Sequence, residues 1–451
     1  MLISKKTNFK KQILLFFITS IILFISVLIY KNHDDFSYYH FPYTYLLTQN
    51  DLLIGIGNFG HGFRTHSSIF YLNSLFYIPF SSYYLFNFGA LLILCYSNLI
   101  LINKIFTKFA GIKILLDHRF FNYISLFIFV FINIFFYRIA EHGTDRSAQI
   151  LILILFMEVI YLLNLKFSSK NNLSEIFILL GLISSLKAFY ILYFIIFLPI
   201  FFHIFKSKKN IKDILIYFLK HKIFILFSVL VTLVFITNIF NTGCIIYPIH
   251  FSCFDWISWS IPVSEVNDMN NWYELWSKAG AGSNYRVNDS ENYIQNLNWL
   301  VNWINLYFFT KVSDFLLGII FLTLFFLIYF KEKKKIKKNK IKNLKIIYII
   351  ISILFLEWFY NHPALRYGGY ALFLLYFIIY ASNYLSLNNL KKSIFFKKSL
   401  TIICLTIIIF FSRNILRLNE EYNKYSYNPM TNPFYVINSN HMRIEKKFDA
   451  I

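Results

Sequence analysis

The chain has 451 residues, 57% of them apolar and only 15% charged, with 55 phenylalanines, 33 tyrosines and a formal net charge of +22. A soluble core has no room for that much apolar side chain, so composition excludes an ordinary globular domain and points to a bilayer as solvent. The basic excess lies in the connections between apolar runs, the pattern of a topology signal, which argues against nucleic acid and for membrane lipids as the partner.

Apolar runs near or above the roughly 18 residues that a spanning helix needs fall at 13–30, 83–103, 120–137, 147–165, 223–240, 313–330, 345–361 and 369–384. The stretch 174–205 is long enough for two helices, and 399–412 is a shorter candidate. The expectation is an all-α polytopic membrane bundle of about eleven transmembrane helices. The N-terminus and the lysine-rich connections, led by the run Lys331 to Lys345, together hold 29 of the 44 Lys and Arg residues. By the positive-inside rule they are cytoplasmic, and the alternate connections face outward. The charged start Lys5, Lys6, Lys10 and Lys11 imitates a signal peptide. No small-residue cleavage site follows Tyr30, so the first span is expected to stay as an anchor.

Taken in chain order, the outward connections hold most of the residues able to do chemistry. The first carries Asp34 and Asp35, then Asn58-Phe-Gly-His61-Gly-Phe-Arg64. Adjacent carboxylates in a partly dry site suit a general base, or are simply solvated loop residues. The segment Arg138-Ile-Ala-Glu141-His142-Gly-Thr-Asp145-Arg146 packs five ionisable groups into nine residues. There Glu141 and Asp145 suit a divalent metal such as Mg or Mn, and Arg146 suits a phosphate; a turn with an internal ion pair is the plainer reading. Lys187 sits at the hinge of two apolar helices, where it marks a ligand or snorkels to headgroups.

The largest outward segment, 241–312, is rich in tryptophan and is expected to form an interface-lying lid or an aromatic platform for a sugar or lipid chain. Within it, Cys244 and Cys253 are placed to bridge or to stay free in an oxidising compartment. In Tyr360-Asn-His362-Pro363-Ala-Leu-Arg366-Tyr367 the proline forces a turn, and Arg366 is the only Lys or Arg between Lys345 and Lys391. No repeat or linker divides the chain, so one integral domain over 1–412 is expected, followed by an extracytoplasmic tail over 413–451.

This arrangement resembles the GT-C superfamily of integral-membrane glycosyltransferases, and a group of bacterial multi-pass proteins near it. The likeness rests on the acidic pair after the first span, the acids of the second outward loop, Gly243 with Tyr247 and Pro248, and Pro363 with Arg366 and Tyr367. It implies a bacterial inner-membrane enzyme with an active site on the periplasmic or exterior side. The implied reaction is inverting transfer of a sugar from a polyprenyl-phosphate donor to a glycan or lipid acceptor. Asp34 or Asp35 would match the catalytic acid of the first loop, and Glu141 or Asp145 that of the second. Arg366 would match the residue holding the donor phosphate, with Arg146, Lys187, His362 and Tyr367 beside it. A lipid-linked polysaccharide polymerase or ligase, and a transporter or flippase, are the alternative classes.

Overall fold

The computed structural model describes residues 9–29, 35–81, 83–106, 118–164, 170–208, 218–282, 287–332, 343–388 and 390–430, with isolated positions at 210, 212, 216 and 341. Helices dominate, and no strand is found among the described residues. A chain this apolar satisfies its backbone polar groups inside each helix, because hydrocarbon offers none of the partners that water does.

In chain order the helices are α1 (Phe9–Leu23), α2 (Phe41–Gln49), α3 (Ser68–Ser74), α4 (Phe88–Phe106), α5 (His118–Phe135), α6 (Gly143–Asn164), α7 (Lys170–Leu186) and α8 (Phe197–Lys208). There follow α9 (Lys222–Thr242), α10 (Val263–Lys278), α11 (Ser290–Ile294), α12 (Leu300–Trp303), α13 (Ser313–Tyr329), α14 (Leu344–Asn361), α15 (Gly369–Ser386) and α16 (Lys392–Tyr425). The 3-10 segment Ala188–Ile196 leads into α8, and the π-helical segment Ile304–Val312 joins α12 to α13.

Eight helices among the described residues are long and apolar enough to cross a membrane, and Gln12–Ser26, Arg119–Phe135 and Asn172–Leu186 are shorter apolar helices. This is compatible with a membrane protein. Two boundaries differ from those expected. Residues 300–312, assigned above to the large outward segment, belong to one apolar helix running Leu300–Tyr329, and residues 413–425, assigned to the tail, prolong α16.

Burial ranks the helices. Of the apolar window of α6, 94% is buried, against 17% for α9, so α6 is the central post and α9 lies at the periphery. Helices α4, α5, α7 and α15 surround α6. Polar pairs pin this packing: Asn98 and Asn133 exchange amide hydrogen bonds of 3.2 and 2.6 Å between α4 and α5. Near the far end of α6, Lys104 meets the buried Glu158 at 2.5 Å.

Candidate functional site

The four side chains on which the sequence places most chemical weight come together at one end of the bundle. Asp35 starts the turn leading to the π-helical segment Phe36–His40, and Asp145 lies in the first turn of α6. Lys187 closes α7, and Arg366 sits in the turn between α14 and α15. Arg366 Nη2 donates to Asp35 Oδ2 at 3.3 Å. Its Nε faces Asp145 Oδ2 at 3.3 Å, an ion-pair contact without hydrogen-bond alignment. Lys187 Nζ donates to Asp145 Oδ1 at 2.6 Å. The order is Asp35, Arg366, Asp145, Lys187, two acids and two cations in alternation. The Asp35, Arg366 and Lys187 side chains are 30%, 24% and 22% exposed and Asp145 only 5%, so Asp145 is the buried centre of the cluster and both ends reach solvent.

Aromatic rings enclose the cations. The Lys187 ammonium lies 4.5 Å from the Tyr367 ring centre, and the Arg366 guanidinium 5.1 Å from Trp276 and 5.3 Å from Tyr367. Contacts of this kind stabilise a partly dry cation by about 0.5–2 kcal/mol. Burial alone would lower the Arg366 pKa, but Tyr367, Asp145 and Asp35 outweigh it and hold the guanidinium above its ordinary value. Burial, with Asp35 as the next cause, pushes the Tyr39 hydroxyl well above its usual range.

The turn that presents Arg366 is clamped from four sides. Gln149, one helical turn beyond Asp145, donates to the Arg366 carbonyl at 3.0 Å and accepts from the Ala371 amide at 3.1 Å. Trp303 Nε1 donates to Pro363 O at 3.0 Å, Trp358 Nε1 donates to Ala364 O at 2.9 Å, and Tyr307 OH accepts from Leu365 N at 2.8 Å. At Gly369 a Cβ would lie 2.6 Å from the Trp358 ring, so only glycine lets α15 start this close to α14.

Helix α10 covers the cluster. It stands on the segment begun by Gly243, whose positive φ of 78° ends α9, and the Cys244–Cys253 disulfide closes that segment. Arg64 Nη2 ties α10 to the first connection through Glu265 at 2.7 Å. Trp276, on the same helix, packs on Tyr367 with ring centres 5.9 Å apart.

Other expected residues stand elsewhere. Arg146 turns away: its Nη1 donates to the Arg138 carbonyl, and its guanidinium lies 5.9 Å from the Phe136 ring. These described contacts lie within the 136–146 segment, and none of them is to the four charges of the cluster. His362 stands behind the cluster, with its ring 5.7 Å from Phe189 and 6.0 Å from Tyr367. Its buried Nδ1 meets no hydrogen-bond partner among the described residues, and burial, then Lys278 and Lys187, lowers its pKa to about 4. Asp34 and the Glu141 side chain lie outside the described residues.

A divalent ion on Asp145 would have to displace a side-chain cation, since Oδ1 faces Lys187 and Oδ2 faces Arg366. No group of three or more His, Cys, Asp or Glu comes together among the described residues.

The sequence reading missed Gln149 and Tyr39 as members of this site, and held Trp276 only as one tryptophan of the 241–312 lid or platform. A signal existed for Gln149, a polar residue four positions after Asp145 in an otherwise apolar run.

The chain belongs to the family described as a domain of unknown function (DUF8201), whose model matches residues 2–373. That span includes all four members of the cluster and leaves α16 outside. No curated protein and no solved structure matches the chain.

Proposed function

We propose that this protein is an inverting, GT-C-like glycosyltransferase of the inner membrane, moving a sugar from a polyprenyl-phosphate donor to an extracytoplasmic glycan or lipid acceptor. In this reading all eleven apolar helices cross the membrane, the N-terminus and the Lys331 to Lys345 run face the cytoplasm, and the cluster faces outward. The observation that carries it is the contact of Arg366 with both Asp35 and Asp145, with Lys187 on the far side of Asp145.

The chemistry follows from the alternation of charges. An incoming lipid phosphate competes with the two carboxylates for Arg366 and Lys187, whose donors suit phosphate oxygens. When Arg366 turns to the phosphate, the Asp35 oxygen that accepted from it can accept the proton of an acceptor hydroxyl. The hydroxyl oxygen then bonds to the anomeric carbon while the bond from that carbon to the phosphate oxygen breaks. The lipid phosphate leaves with the electron pair, and Arg366 and Lys187 stabilise its charge. One displacement inverts the anomeric centre.

The test is sugar transfer from a polyprenyl-phosphate donor by the purified chain in detergent. Asp35→Asn should lower turnover by about two orders of magnitude, the usual scale of a general base, and Arg366→Ala should abolish productive donor binding. If Asp35→Asn and Asp34→Asn both keep full activity while Arg366→Ala has none, an arginine-centred polymerase or ligase takes its place. If the wild type transfers no sugar from any lipid donor offered, the transferase reading falls.

A further inference from the structure

A row of rings leads from the surface to the charge cluster. Tyr38 and Trp272 are each 37% exposed, and His61 lies exposed between them. The Tyr38 and His61 ring centres are 5.3 Å apart, and those of His61 and Trp272 are 6.0 Å apart. From Trp272 the row continues 6.5 Å to Trp276, stacked at 23°, and 5.9 Å to Tyr367, over which Lys187 and Arg366 lie. Tyr38, His61 and Trp272 are tilted to one another by 41° and 50°, and Tyr367 stands edge-on to Trp276 at 67°, so the row presents faces and edges in turn. The row is built from four separate segments, the π-helical turn after Asp35, the 3-10 turn His61–Arg64, α10 and the turn Leu365–Tyr367.

Its setting is amphipathic rather than greasy. Tyr38 OH lies 3.5 Å from His61 Nδ1, and Arg64 and Glu265 form their ion pair on the same two segments as His61 and Trp272. Flat apolar ring faces bordered by hydroxyl, imidazole, guanidinium and carboxylate groups match a pyranose, which has apolar C–H faces and a belt of hydroxyls. An isoprenoid chain has no such belt and would cover these polar groups while returning no hydrogen bond, at a desolvation cost.

We propose that Tyr38, His61, Trp272 and Trp276 form the acceptor subsite, and that the acceptor is a carbohydrate chain. Its rings stack along the row, and its attacking end reaches the Asp35–Arg366 pair. This deepens the transferase reading and rests on it.

The experiment titrates the purified full chain in detergent with chitotetraose, cellotetraose and maltotetraose, and in a separate arm with farnesyl phosphate, following tryptophan fluorescence. Trp272→Ala and Tyr38→Ala are titrated alongside, with thermal unfolding to establish that each is folded. The expected result is saturable binding of at least one tetrasaccharide, weakened tenfold or more in Trp272→Ala and partly kept in Trp272→Phe. Undiminished tetrasaccharide binding by a folded Trp272→Ala overturns the proposal. So does a wild type that binds no tetrasaccharide, or one whose row mutations alter only farnesyl phosphate binding. Transfer from a lipid-linked donor is measured in parallel. Its absence in wild type counts against the transferase reading, whereas the titration decides the row.

Discussion

Arg366 and Asp35 stand 331 positions apart in the chain and meet at 3.3 Å, with the Arg366 guanidinium also facing Asp145. One planar cation thus closes a link between the start of the chain, its central helix and its late turn. A lysine ammonium has the charge and three donors, but not the planar spread by which Nη2 reaches Asp35 while Nε faces Asp145. Arg366→Lys is therefore expected to lose tenfold or more in transfer rate, with Lys187→Arg the milder change. Equal activity of Arg366→Lys and wild type in a donor-saturated assay would show that the shared contact is not used.

Orientation has its own test, and burial selects the positions. Lys278 is fully buried, whereas Asp268 and Lys331 are exposed. In a chain carrying Cys404→Ser, which removes the exposed free thiol, Asp268→Cys should react with an impermeant maleimide in intact cells. Lys331→Cys should react only after permeabilisation. The reverse pattern would turn the site inward.

Gln149→Leu replaces the amide with an apolar side chain of similar size and removes the bonds to the Arg366 carbonyl and the Ala371 amide. Leaving these buried groups unpaired costs about 1–3 kcal/mol. The thermal midpoint in detergent should drop by several degrees and transfer should weaken with it. An unchanged midpoint would mean that water or a neighbour replaces the clamp.

Acid should destabilise the protein through two buried histidines. Burial lowers His66 from 6.5 to about 4, and His362 falls to about 4 through burial and the cations Lys278 and Lys187. Between about 6.5 and 4 the unfolded chain binds protons that the folded chain does not, so stability rises with pH across that window. It is fully present above 6.5 and lost as pH falls. His66→Gln should flatten the dependence of the unfolding midpoint between pH 6.5 and 4, and an equally steep dependence in that variant would exclude His66 as its source.

The apolar helices were legible because a bilayer forces uninterrupted apolar runs, each of which reappears as an apolar helix. Their ends were less so. Lys311 and Asn302 read as aqueous, yet the 304–312 segment stays helical. At α16, Arg417 and Glu421 pair one turn apart at 3.1 Å and carry the helix beyond its apolar part. Asp35, Asp145, Lys187 and Arg366 all stand at helix ends or turns on connections that the charge pattern assigns to one face, which makes their meeting intelligible. Side-chain direction was not legible, since position along a helix says nothing of which partner a long side chain takes. Arg146 neighbours Asp145 in sequence but turns to its own loop, while Trp276 arrives from a helix whose docking no local pattern encodes.

Asp145, Gln149 and Glu158 all ride on α6, with Lys187 and Arg366 engaged near one end and Lys104 near the other. An α-helix turns about 100° per residue, and Asp145 and Glu158 are about 20 Å apart along its axis. Inserting a single residue between Gln149 and Glu158 would swing one set of contacts about a third of a turn away from the other. Whichever end kept its partners, the other would lose them. The two polar ends of the molecule are geared to each other through one rod, and the length of that rod is as much a part of the site as the side chains it carries.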